Sequence, residues 1–149
     1  MKNIIFALSM VLVSLTVNAQ IFEPVKWNTS VTKLSDTEYE LIATAFIDNG
    51  WHLYSQSVPE DGPQSTKFTF KGSSNFLKKG NTTEEKGHTI NDPIFKMQIT
   101  YFEKKAVFRQ KIKSKSTKPY KITGSVEFMV CDNSKCLPPT EVELVFNIK

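Results

Sequence analysis

The chain has 149 residues, 40% hydrophobic and 23% charged, with 19 basic against 15 acidic side chains and a formal net charge of +4. That length suits one domain with its own core. So mild a charge, with lysines scattered among acids, speaks against a nucleic-acid surface.

Met1-Lys2-Asn3 is a short basic start, and residues 4–17 are apolar apart from Ser9, Ser14 and Thr16. Val17-Asn18-Ala19 then supplies the residues a signal peptidase reads. The pattern predicts a signal peptide over residues 1–19 and a mature domain over residues 20–149. The apolar run falls short of the ~20 residues needed to span a bilayer, so cleavage is expected rather than anchoring. No cysteine stands at the cleavage site, and no later segment is apolar enough to cross, so no stable membrane insertion is expected after signal removal. Export implies a periplasmic or secreted protein in a compartment where disulfides persist.

The remainder alternates in period two between Gly, Pro, Asn, Asp and Ser breaks. Residues 38–48 read as a strand with Tyr39, Leu41, Ala43, Ala45 and Ile47 on one side. Ile42 and Phe46 on the other side imply burial of both faces. Asn49-Gly50 is a turn signal, after which residues 51–54 resume extended structure with Trp51 as a core anchor. Residues 65–71 alternate again on Phe68 and Phe70. Residues 72–93 are the least regular part, and His88 falls in a polar, solvated stretch of it. Strands return over residues 98–102 and 105–112. Lys111, Lys113, Lys115 and Lys118 form a solvated basic cluster leading into a polar connection. Residues 120–131 give the clearest strand, with Ile122, Val126, Phe128 and Val130 on one face. Residues 140–148 close the domain on Val142, Leu144, Phe146 and Ile148. Seven to nine short strands without a helical period predict an all-β fold, an antiparallel immunoglobulin-like β-sandwich.

The two cysteines, Cys131 and Cys136, flank Asp132-Asn133-Ser134-Lys135 and precede Leu137-Pro138-Pro139. Val130 points to the core, so Cys131 points to the opposite face. Asp132-Asn133-Ser134 is turn chemistry, which lets the cysteines meet across a tight connection. A bridge closing ~6 residues removes little unfolded-chain entropy, roughly 2 kcal/mol. A bridge so placed is open to strain and hence to reduction. From spacing alone three readings stand: a redox dithiol, a structural clamp in a secreted binding module, or a metal site. His52, His88, Met97 and Met129 would be the further ligands of a copper site, yet no spacing supports one. No phosphate loop and no Ser/His/Asp arrangement is present.

Residues 131–139, CDNSKCLPP, followed by the strand TEVELVF, resemble the active-site hairpin of the N-terminal periplasmic domain of DsbD, the thiol:disulfide interchange protein. Residues 48–54, DNGWHLY, resemble the family's stretch beside the cysteines, with His52 in place of the first of two tyrosines and Tyr54 as the second. Residues 91–95, NDPIF, resemble its cap loop. The likeness spans most of residues 21–149. Four residues lie between the cysteines here, where the best-known member has five.

The resemblance implies thiol:disulfide exchange, with electrons passing from a thioredoxin-like protein or membrane electron donor to oxidised periplasmic proteins. It requires no cofactor beyond the cysteines and no metal. Cys136 would attack partners and Cys131 would resolve the mixed disulfide. His52, Tyr54 and Asp92 would support the site, and Pro93, Ile94 and Phe95 would form the cap, with Ile94 or Phe95 as the shielding residue. Asp92 would raise a nearby thiol pKa or carry a proton, whereas a protonated His52 would favour a thiolate. No membrane part and no thioredoxin-like part follows, so a stand-alone module is expected, with electrons supplied by a separate protein.

Overall fold

Strand alternation sorts the apolar side chains of this chain onto inward faces, and eleven strands form among the residues described. The computed structural model describes residues 22–149, so the expected signal peptide lies outside the described residues. The strands are β1 (Val25–Lys33), β2 (Glu38–Ile47), β3 (His52–Tyr54), β4 (Lys67–Phe70), β5 (Phe76–Glu84) and β6 (His88–Asn91), then β7 (Gln98–Phe102), β8 (Lys105–Ser114), β9 (Tyr120–Phe128), β10 (Val130–Cys131) and β11 (Thr140–Ile148). All pairings are antiparallel, in the orders β1-β2-β8-β5, β11-β9-β4 and β10-β3-β7-β6.

The first sheet forms one layer of the sandwich. The other two form the facing layer, because β9 runs into β10 with only Met129 between them. One core fills the gap. Leu41, Ala43, Ala45, Phe108 and Ile112 of the first layer meet Ile122, Val126, Leu144 and Phe146 of the second, together with Leu53, Phe102 and Val130. Full burial of each large apolar side chain stabilises by about 1.5–3 kcal/mol. Trp27 sits at the centre of an aromatic group, 5.5–5.8 Å from the ring centroids of Phe68, Phe108 and Phe128. At the layers' shared edge, the Thr29 hydroxyl donates to the Val145 carbonyl at 2.7 Å and ties β1 to β11.

Two expectations are corrected. β2 is buried on one face only: Tyr39, Leu41, Ala43, Ala45 and Ile47 point inward, while Phe46 is half exposed. Phe46 lies on the outer face of the first layer, away from the core. Residues 72–93 also hold two strands, β5 and β6, rather than irregular chain, and His88 begins β6. Both are edge strands, exposed along nearly their whole length, so neither carries an apolar alternation. β5 is further interrupted by a register shift between Lys79 and Thr83. Gly80 takes φ 66° there, and the buried Gln110 amide satisfies the disturbed ladder through the Lys79 carbonyl and the Thr82 hydroxyl.

Candidate functional site

Strands β10, β3 and β7 bury side chains on both faces of their sheet. Val130, Leu53 and Phe102 enter the main core, so Cys131, His52, Tyr54 and Tyr101 must point to the other side. That side carries its own small cluster. Tyr54, Ile99, Tyr101 and Cys131 are buried in it, with Val58, Phe95, Met97, Met129 and Cys136 packed around them.

Cys131 and Cys136 form a disulfide with Cα atoms 3.9 Å apart. They face each other as an antiparallel bridge, flanked by hydrogen bonds on both sides. Asp132 N donates to the Lys135 carbonyl and Leu137 N to the Val130 carbonyl, each at 2.9 Å. This is the non-hydrogen-bonded kind of cross-strand pair, in which side chains approach most closely. The connecting turn is held by Asp132, whose Oδ1 accepts from Ser134 N, Ser134 Oγ and Lys135 N, each at 2.8 Å. Those donors, the Ser134 amide first, hold its carboxyl below the ordinary value of 3.8. The two sulfurs differ in access: Cys131 is 1% exposed, whereas Cys136 is partly exposed at the rim.

His52 is the strand partner of Cys131, directly across β10 and β3. Its ring lies 4.4 Å from that of Tyr101, and its Nε2 is 3.1 Å from Oε1 of Glu103. Tyr54 is buried two residues on, its backbone carbonyl accepting from the buried Thr66 hydroxyl at 2.5 Å. Burial first, then the Asp92 charge, push the Tyr54 phenol well above 10.0, so it stays protonated. Tyr101 is raised by burial, then by Glu103 and Asp92.

Asp92 is buried and shapes the loop between β6 and β7. Its Oδ1 accepts from Ile94 N at 2.8 Å and Phe95 N at 3.0 Å, while its backbone closes on Lys96 and Met97. Lys96 takes φ 55°, a left-handed conformation that turns the chain back. The turn brings Phe95 edge-on to Tyr54, with centroids 6.1 Å apart, over the disulfide cluster. Ile94 is 40% exposed and Pro93 is exposed, so of the two shielding candidates only Phe95 packs on the cluster.

Cys131, Cys136, His52, Tyr54, Asp92 and Phe95 therefore meet at one end of the sandwich. His88 is exposed on β6, its ring 6.2 Å from Tyr101. Met97 and Met129 pack near the cysteines, but no group of three His, Cys, Asp or Glu suited to a metal occurs among the described residues. Glu103 and Tyr101 escaped sequence reasoning as site neighbours. Their signal was the strand register: Tyr101 pairs with Tyr54, and Glu103 directly follows Phe102, the partner of Leu53.

The chain matches the family model described as thiol:disulfide interchange protein DsbD, N-terminal, over residues 19–147. No curated protein sequence matches it. Among solved structures, it is similar to the Neisseria meningitidis DsbD N-terminal domain in its reduced form, at 14% identity and TM-score 0.51, covering 78% of this chain and 82% of that one. The complex between the DsbD N-terminal and PilB N-terminal domains of the same organism gives 12% identity and TM-score 0.54, covering 85% and 87%. The N-terminal periplasmic domain of ScsB from Proteus mirabilis gives 18% and 0.56, covering 84% of this chain and 48% of that one. At such identities the likeness to these structures is one of fold.

Proposed function

The chain belongs to the family of DsbD N-terminal domains, immunoglobulin-like periplasmic modules of thiol:disulfide interchange, and on that premise we propose that its hairpin disulfide passes electrons between a thioredoxin-like donor and oxidised periplasmic proteins. The observation that carries the reading is the unequal access of the two sulfurs. Cys136 at the rim meets partners and forms the mixed disulfide. Cys131, buried directly behind it, resolves that intermediate. In each transfer one disulfide opens as another forms, and two electrons move with the sulfur exchange.

The surroundings support the same reading. Phe95 lies over the cluster against Tyr54 as an apolar cover that slows unwanted oxidants until a partner displaces it. Asp92 builds the turn that presents Phe95. His52 faces Cys131 across the strand pair, where an imidazole can take up a thiol proton. The mature domain is taken as residues 20–149 after removal of residues 1–19. The complex of the Neisseria domain with the PilB N-terminal domain is a precedent for one protein domain docking on another in this fold.

A clamp role is disfavoured by the hairpin itself. Its backbone bonds on both sides of the bridge and the Asp132 turn hold the two ends together without sulfur. The test is trapping. With Cys131→Ser, Cys136 should accumulate a mixed disulfide with a thioredoxin-like protein, and with Cys136→Ser none should form. Equal trapping by both variants, or by neither, would refute the assignment.

A further inference from the structure

The resolving step needs a thiolate at Cys131, yet this sulfur is buried among Tyr54, Ile99 and Tyr101, surroundings that disfavour charge. A proton acceptor must therefore be close. Three adjacent positions supply one. Cys131 on β10 pairs with His52 on β3, and His52 in turn meets Glu103, which directly follows β7. Paired positions on neighbouring strands hold their Cβ atoms about 4.5–5.5 Å apart. Sγ is one bond from its Cβ and the imidazole Nδ1 is two, so the pairing sets the thiol and the ring side by side on one face of the sheet.

Glu103 decides which ring nitrogen is free. Ionised, its carboxylate only accepts, so the Nε2 that it meets at 3.1 Å carries the proton. In the neutral ring Nδ1 is then the nitrogen left with a lone pair to accept a proton. Stacking on Tyr101 at 4.4 Å fixes the ring plane. His52 has only 14% of its side chain exposed, while Glu103 has 44% and reaches in from the rim.

The geometry points to Cys131–His52–Glu103 as a proton relay for the resolving half of the exchange, with His52 as the base and Glu103 as its positioning residue. The inference rests on the interchange reading above and deepens it. During resolution the Cys131 thiol gives its proton to His52 Nδ1. The Cys131 sulfur then attacks Cys136, the Cys131–Cys136 bond forms, and the bond from Cys136 to the partner breaks. The partner leaves as a thiolate and takes a proton from the imidazolium or from water. The domain loses two electrons and the partner gains them. The other ionisable groups on this side are Tyr101 and Tyr54, both held protonated, then Asp92 beneath the cap, His88 beyond Tyr101, and Asp132 and Lys135 in the hairpin turn. None of these is the strand partner of Cys131, whereas His52 is.

The test is stopped-flow reaction of the reduced protein with an aromatic disulfide whose thiolate is coloured. The first equivalent of thiolate reports attack by Cys136, and the second reports resolution by Cys131. General-base assistance is worth about 10²–10⁴ in rate. His52→Ala and Glu103→Gln should therefore slow the second phase roughly tenfold or more relative to the first at neutral pH. Added imidazole should restore the second phase of His52→Ala, which a packing role for the ring would not produce. In that variant, without imidazole, the second phase should follow only the ionisation of Cys131 itself. An unchanged ratio of the two phases in both variants, or a His52→Ala defect that imidazole does not relieve, would overturn the relay. The interchange reading fails separately, if wild-type protein shows both phases yet no thioredoxin-like protein reduces its disulfide.

Discussion

Reduction of the Cys131–Cys136 bond should leave the domain folded. The bridge joins residues only 5 apart in sequence, so the loop it closes is short. On the chain-entropy relation such a loop is worth about 2 kcal/mol, near the low end for disulfides. The core adds nothing to that dependence, since Leu41, Phe108, Val126 and Phe146 pack in the main cluster without either sulfur. The hairpin also keeps its Asp132–Lys135 and Leu137–Val130 backbone bonds. For a domain of this size 1 kcal/mol moves the midpoint by about 3–4 °C, so reduction should lower Tm by about 6–8 °C. Calorimetry of the oxidised and reduced protein measures this directly. A fall of more than about 20 °C, or loss of the cooperative transition, would show that the bridge is a covalent staple and would refute the reasoning.

Two further predictions address the cap and the turn. Phe95 is partly buried on the disulfide cluster, and complete removal of a buried Phe side chain costs about 3–5 kcal/mol. About half of that, confined to the loop, should shift cap opening and raise the rate of Cys131/Cys136 oxidation by small oxidants roughly ten- to sixtyfold in Phe95→Ala, with global Tm little changed. Unchanged oxidation kinetics would dismiss the cover. Asp132 has a depressed folded pKa, so its contribution to the turn is fully present above 3.8 and is lost as pH falls through the lower folded value. The amide resonances of Ser134 and Lys135 should accordingly titrate together with a midpoint below 3.8, and a midpoint at or above it would contradict the hydrogen bonding described.

How much of this was legible in the sequence depended on burial. β2, β9 and β11 each bury one face against the core, and their alternation was plain. β1 was obscured because Thr29 interrupts the series Val25, Trp27, Val31, its hydroxyl being used on the Val145 carbonyl rather than in apolar packing. β5 and β6 bury almost nothing, so periodicity had nothing to report. The hairpin was readable because its cysteines, turn residues and prolines are contiguous. The choice of Phe95 over Ile94 was not, since the Asp92 carboxylate and the left-handed Lys96 set which side chain turns inward. Glu103 meets His52 across 51 positions, a contact made by register alone.

The most direct measurement of the central claim is the equilibrium reduction potential of the Cys131–Cys136 bond against a glutathione couple. A disulfide that opens and closes in a working cycle should lie above about −300 mV, within reach of thioredoxin-fold donors. A value well below that figure would place the bond among permanent structural bridges and contradict the account.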